Sequence, residues 1–109
     1  MPDIPETTRF GLREETIRLI QQVFASHPHI EQAILYGSRA KGTHRDASDI
    51  DLTLVGAMLT LNDSCAIAQE LDDLLLPWKI DLSLRHTIDN PALLDHIERV
   101  GREFYRRPA

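Results

Sequence analysis

Apolar and polar positions along the chain change period several times, and each change marks an element. From Leu12 to Ser26, Leu12, Ile17, Ile20, Val23 and Phe24 recur near helical spacing, with Arg13, Glu14, Arg18, Gln21 and Gln22 between them. This predicts a surface helix with one buried stripe. His27-Pro28-His29 closes it, because Pro28 disfavours helical geometry at His27 and has no amide to donate. The two histidines have no third ligand nearby in sequence and are assigned to a solvated helix end. Gln32 to Tyr36 is a short apolar run ended by Gly37, a buried strand running into a tight turn. Ser38 is placed to cap a short helix through Arg39, Ala40 and Lys41 that Gly42 ends, and Thr43 to Ser48 follows as a polar loop.

Strict alternation then appears. Ile50, Leu52 and Leu54 fall on one side of a predicted strand from Asp49 to Val55, with Asp49, Asp51 and Thr53 on the other. Asn62 or a near neighbour caps the next helix, whose stripe of Ala66, Ile67, Leu71, Leu74 and Leu75 stops before Pro77. From Trp78 to Leu84 the alternation returns, with Ile80, Leu82 and Leu84 against Lys79, Asp81 and Ser83. Asn90-Pro91 supplies a cap and a first-turn proline for a last helix through Leu93, Leu94, Ile97 and Val100 to Gly101. The tail, 102–109, is basic with two aromatics, and is expected either to be flexible, to pack on its own domain, or to contact a partner. The order predicts an α/β (α+β) domain spanning 1–109, with a small mixed sheet of about three strands and helices mainly on one face.

Composition narrows the function. A net charge of -5 disfavours non-specific adhesion to nucleic acid, although acids that hold metal ions would contribute to that figure. The acidic, proline-bearing start Met-Pro-Asp-Ile-Pro-Glu is unlike a secretory signal and no apolar run approaches bilayer length, so a cytoplasmic location is expected. Cys65 is the single cysteine, which excludes an internal disulfide or a cysteine-based zinc cage and leaves it as a small helix residue.

The chemistry lies in the acids. Alternate strand residues stand about 6.6 Å apart on one side, so Asp49 and Asp51 share a face, and Asp81 joins them if the two alternating strands pair at about 4.8 Å. Three converging carboxylates repel one another unless a cation intervenes. A pair of Mg²⁺ ions about 3.5–4 Å apart suits in-line displacement at phosphorus. The plain alternative is the wet face of an edge strand. Against it stands the preceding turn, where Gly37 allows close backbone approach, Ser38 opens a helix toward a phosphate, and Arg39, Lys41 and Arg45 lie close in sequence. His44 is assigned to a solvated loop.

Gly37-Ser38-Arg39-Ala40-Lys41-Gly42, followed by Ser48-Asp49-Ile50-Asp51-Leu52 and by Asp81 in Lys79-Ile80-Asp81-Leu82, resembles the signature of the minimal nucleotidyltransferases of the DNA polymerase beta superfamily. The resemblance covers Ile34 to Leu84. It implies that Asp49 and Asp51 hold the metal ions and that Asp81 completes one metal site and helps deprotonate the attacking hydroxyl. It further implies that Gly37 and Ser38 hold the triphosphate, with Arg39, Lys41 and Ser48 as further phosphate contacts. ATP is the expected donor of a nucleoside monophosphate. Proteins of this length that it resembles pair with a small helical HEPN protein in toxin-antitoxin systems, and some adenylylate that partner. Larger relatives carry extra helices that this chain lacks, which lowers antibiotic and tRNA acceptors in rank. A non-catalytic antitoxin acting by occlusion, and transfer to a small molecule, are the alternatives.

Overall fold

The computed structural model describes residues 8–108; residues 1–7, with the acidic start Met-Pro-Asp-Ile-Pro-Glu, and Ala109 lie outside them. The described residues open with a hairpin of β1 (Thr8–Arg9) and β2 (Leu12–Arg13). Phe10 and Gly11 at its turn both take positive φ, 59° and 74°, the conformation of a tight hairpin whose twist matches its strands. Leu12, expected in the first helix, therefore sits in β2, yet is fully buried. α1 (Glu14–Ala25) follows, with Glu14 and Glu15 favourably placed in its first turn and Ile17, Ile20 and Phe24 buried.

The remaining elements are β3 (Gln32–Tyr36), α2 (Gly37–Lys41), β4 (Ile50–Val55), α3 (Leu61–Asp72), β5 (Ile80–Leu84), a 3₁₀ turn (Arg85–Thr87), α4 (Pro91–Val100) and β6 (Arg102–Arg106). The main sheet has four strands rather than about three, in the order β5-β4-β3-β6. β4 is antiparallel to β3 and parallel to β5, with α3 as the crossover a parallel pair requires.

Of the alternatives expected for the tail, the extra strand matches packing on its own domain and not flexibility. β6 pairs with β3, and the register shifts between Ala33 and Ile34. The irregularity lets consecutive aromatics face the same way, so Phe104 and Tyr105 are both buried and both lie against Phe24. Just past β6, Arg107 ties the chain down by donating to the carbonyls of Ile30 and His27. His27 is half-buried and pairs with Glu70 of α3, so it is not a solvated helix end.

Ile50, Leu52 and Leu54 are fully buried in one continuous core with Phe24 of α1 and Ile67 and Leu71 of α3. Each such side chain contributes about 1.5–3 kcal/mol. These two helices form the expected layer, while α4 packs against β3 and α2 on the opposite face. Thr60, a neighbour of Asn62, caps α3 through a reciprocal pair of bonds with Asp63. Leu75 lies beyond the helix at φ 55° and is exposed, so it takes no part in the predicted stripe. Cys65 is exposed on α3. Among the described residues no helix is long and apolar enough to cross a membrane.

Candidate active site

The identical segments Ile50-Asp51-Leu52 and Ile80-Asp81-Leu82 lie side by side in register, Asp51 opposite Asp81. Directly opposite residues of a parallel pair point the same way, so both carboxylates leave the sheet on the face that Ile50 and Leu52 avoid. On the other side of β4, Asp51 faces Tyr36 of β3. Asp49 stands just before β4 and is exposed, Asp51 is partly buried, and Asp81 is exposed on the edge strand. Thr53, expected on a wet face, is fully buried and its hydroxyl has no hydrogen-bond partner.

Burial raises the Asp51 carboxyl above the usual carboxylate range, and the charges of Asp81 and then Asp49 push it further in the same direction, with His96 opposing. The Tyr36 phenol is raised as well, first by burial; the Ser83 hydroxyl opposes this, and Asp51 and Asp81 add to it. The acidic face is thus a region where negative charge is costly.

Gly37 makes the crowding possible. Its φ is +76°, and a Cβ built there would lie 2.3 Å from Oδ2 of Asp51. Glycine therefore allows the β3-to-α2 turn to run directly beside the carboxylate. The Gly37 N–H donates to Nε2 of His96 at 3.1 Å, and the His96 ring stands edge-on to Tyr36 at 6.2 Å. His96 carries no sequence signal: it is an ordinary position of α4, brought here by packing.

The donor set fits a hard divalent cation. Carboxylate oxygens are what Mg²⁺ prefers, and the glycine cradle leaves room beside Asp51. Among the described residues no group of three acidic, histidine or cysteine side chains is tight enough to cage an ion unaided. An open set of this kind leaves coordination positions for water and phosphate oxygens, as Mg²⁺ sites in phosphoryl-transfer proteins do.

Arg39 departs from expectation. Instead of facing a phosphate it is 3% exposed. It donates to the carbonyls of Phe10 (2.8 Å), Asp46 (3.2 Å) and Ser48 (3.0 and 3.1 Å). Its guanidinium lies 5.5 Å from the centre of the Trp78 ring, and the Trp78 indole donates to the same Asp46 carbonyl. Burial lowers its pKa, with Asp46 opposing. Arg39 thus fastens the loop that delivers Asp49. Ser48 braces the same loop, its hydroxyl accepting from the Arg45 amide. Ser38 stays at the β3-to-α2 turn, half-buried within α2. Lys41 lies at the far end of α2, beside Arg99 and Arg102. His44 is half-buried with its ring against Gly11, rather than solvated.

The fold has solved counterparts. The chain resembles a toxin-antitoxin structure containing AMP-PNP, with a TM-score of 0.69 and 22% identity over 84% of this chain and 73% of that one. It is similar to a complex of a tri-AMPylated Shewanella oneidensis HEPN toxin with its MNT antitoxin, with a TM-score of 0.64 and 19% identity over 86% and 72%. A third, a MntA-HepT toxin-antitoxin structure, gives a TM-score of 0.65 and 18% identity over 87% and 74%. At these identities the likeness shows the fold. No curated protein sequence is significantly similar. The polymerase beta nucleotidyltransferase family model matches residues 18–109, taking in the acidic face, the glycine turn and β6, and the chain belongs to that family.

Proposed function

We propose that the chain is a Mg²⁺-dependent adenylyltransferase of the cytoplasm that moves AMP from ATP to a hydroxyl of a partner protein of the HEPN class, and so acts as its antitoxin. The observation that carries this reading is the in-register pair Asp51 and Asp81 beside the Gly37 cradle. The AMP-PNP and the AMPylated toxin of the similar structures support the donor and the acceptor class.

Asp49 and Asp51 would hold the ions, and Asp81 would complete one of the two metal sites. Bound Mg²⁺ supplies the positive charge that lets these carboxylates stay ionised together and that polarises the phosphate oxygens. Gly37 and Ser38 receive the triphosphate at the turn, and the Gly37 amide exchanges His96 for a phosphate oxygen. Asp81, exposed on an edge strand, is open to a large acceptor and takes the proton of its hydroxyl. The hydroxyl oxygen bonds to the α-phosphorus, the bond to the bridging oxygen breaks, and pyrophosphate leaves.

The test is to incubate the protein with a purified HEPN partner, Mg²⁺ and ATP labelled at the α-phosphate. Label is expected on the partner and is expected to vanish with Asp49→Ala or Asp51→Ala. Label that persists in both variants rules the mechanism out, and label found only on a small molecule moves the acceptor to that class.

A further inference from the structure

α2 and α4 lie side by side. At one end His96 meets the Gly37 amide; a turn further along each helix, Ala40, Lys41, Val100 and Gly101 line a cavity of about 520 Å³ that Arg99 and Arg102 complete. A second cavity of about 340 Å³ shares Ala40, Lys41 and Arg102 and adds Arg9 and His44. Together they form one groove, beginning about 4.5 Å along the α2 axis from Gly37 at the usual helical rise.

Its charge is opposite to that of the chain. The sequence has 17 acidic residues against 12 Lys and Arg, yet among the described residues neither cavity is lined by an Asp or Glu. Arg9 and Arg99 are paired, with Glu14 and Asp95, whereas Lys41 and Arg102 have no ion pair among the described residues. Basic residues commonly complement the negative end of a helix, and this accounts for Lys41 and Arg99. It does not account for Arg102 of β6 or Arg9 of the hairpin, which reach the groove from two other elements.

We propose that the groove seats an acidic stretch of the polypeptide that carries the acceptor hydroxyl, an inference that rests on the protein-acceptor reading above. The acceptor hydroxyl is taken at Asp81 of β5 and Arg102 lies on β6, three strand spacings of about 4.8 Å away, so at about 3.3 Å per residue an extended chain puts the acids about four or five positions from the modified residue. Nucleic acid fits less well. It carries a charge at every nucleotide and would bring phosphates past Asp49, Asp51 and Asp81, whereas a polypeptide can confine its acids to the groove.

The test is fluorescence anisotropy at low salt. The probe is a fluorescein-labelled peptide with one serine followed, four residues on, by a run of glutamates; its glutamine counterpart and a single-stranded RNA of equal charge are the comparisons. The acidic peptide is expected to bind about tenfold more tightly than the glutamine version, and added salt should erase the difference. Arg102→Glu is expected to abolish that preference and Arg102→Lys to keep most of it, with binding of a fluorescent ATP analogue unchanged in both. Equal binding of the two peptides overturns the proposal, as does a preference that survives Arg102→Glu. Tighter binding of the RNA overturns it in favour of nucleic acid. Failure of the wild-type protein to bind the ATP analogue counts against the enzymatic reading, leaving the peptide preference to judge the groove separately.

Discussion

Arg39 and Asp51 are both charged and both withdrawn from water, but their surroundings are opposite. Burial opposes the charge of Arg39 as well, but the groups around it offset this: three backbone carbonyls accept its hydrogen bonds and the Trp78 ring lies close by. Asp51 has neighbours that work against it, since burial, Asp81 and Asp49 all disfavour its ionised form. A satisfied buried charge holds a scaffold together, and a frustrated one stores a demand for a ligand. In this domain the first secures the approach to the second, because the loop that Arg39 grips ends at Asp49, two residues before Asp51.

The contrast breaks most visibly at Arg39. Arg39→Ala leaves the carbonyls of Phe10 and Ser48 without their donor, while Asp46 keeps that of Trp78, so at about 1–3 kcal/mol for each of the two a loss of roughly 2–5 kcal/mol is expected in urea unfolding. Arg39→Lys should recover only part of it, because one ammonium cannot reproduce the planar fork. A loss below about 1 kcal/mol for the alanine variant would make Arg39 a bystander.

Gly37→Ala comes next. Positive φ costs a residue with a Cβ about 1–2 kcal/mol, and here the new methyl also meets the Asp51 carboxylate. Melting of Gly37→Ala, Asp51→Ala and the double variant should show coupling, with the second substitution relieving part of the first. Strictly additive effects would mean that the turn and the carboxylate do not press on each other.

Thr60→Ala probes a polar contact remote from both. Losing the cap of α3 should cost about 1 kcal/mol and leave nucleotidyl transfer intact. The amide and hydroxyl of Thr60 hold the Asp63 carboxyl below its usual range. A depressed value stabilises the fold above the unfolded carboxylate range and is lost as pH falls through the native value. The penalty of Thr60→Ala should therefore shrink in acid, and a penalty independent of pH would separate the cap from Asp63.

Much of this was legible in the chain. Ile50, Leu52 and Leu54 alternate with polar residues, which marks β4 and its dry face, and Asn90-Pro91 marks the start of α4. The same alternation around Asp51 and Asp81 is enough to bring both acids to one face once their strands pair. What stayed hidden depended on tertiary packing. β6 has no alternation because its bulge turns Phe104 and Tyr105 to the same side. Leu12 fits a helical stripe and a hairpin equally well by spacing. Arg39 in a Gly-Ser turn looks like a phosphate ligand until Phe10, Asp46 and Ser48 are placed around it. His96 becomes relevant only when α4 is laid over Tyr36 and Gly37.

Thermal melting of the metal-free protein and of Asp51→Asn, each with and without Mg²⁺, tests the frustrated carboxylate most directly. A carboxyl raised in the folded state favours folding below the unfolded carboxylate range and loses that contribution as pH rises through its native value. Without metal, Asp51→Asn should therefore melt higher than wild type at neutral pH, with the advantage disappearing in acid, and Mg²⁺ should stabilise the wild-type protein while leaving the variant unchanged. A variant that melts lower than metal-free wild type, with Mg²⁺ shifting both proteins equally, would contradict a self-repelling acidic face built to take a cation.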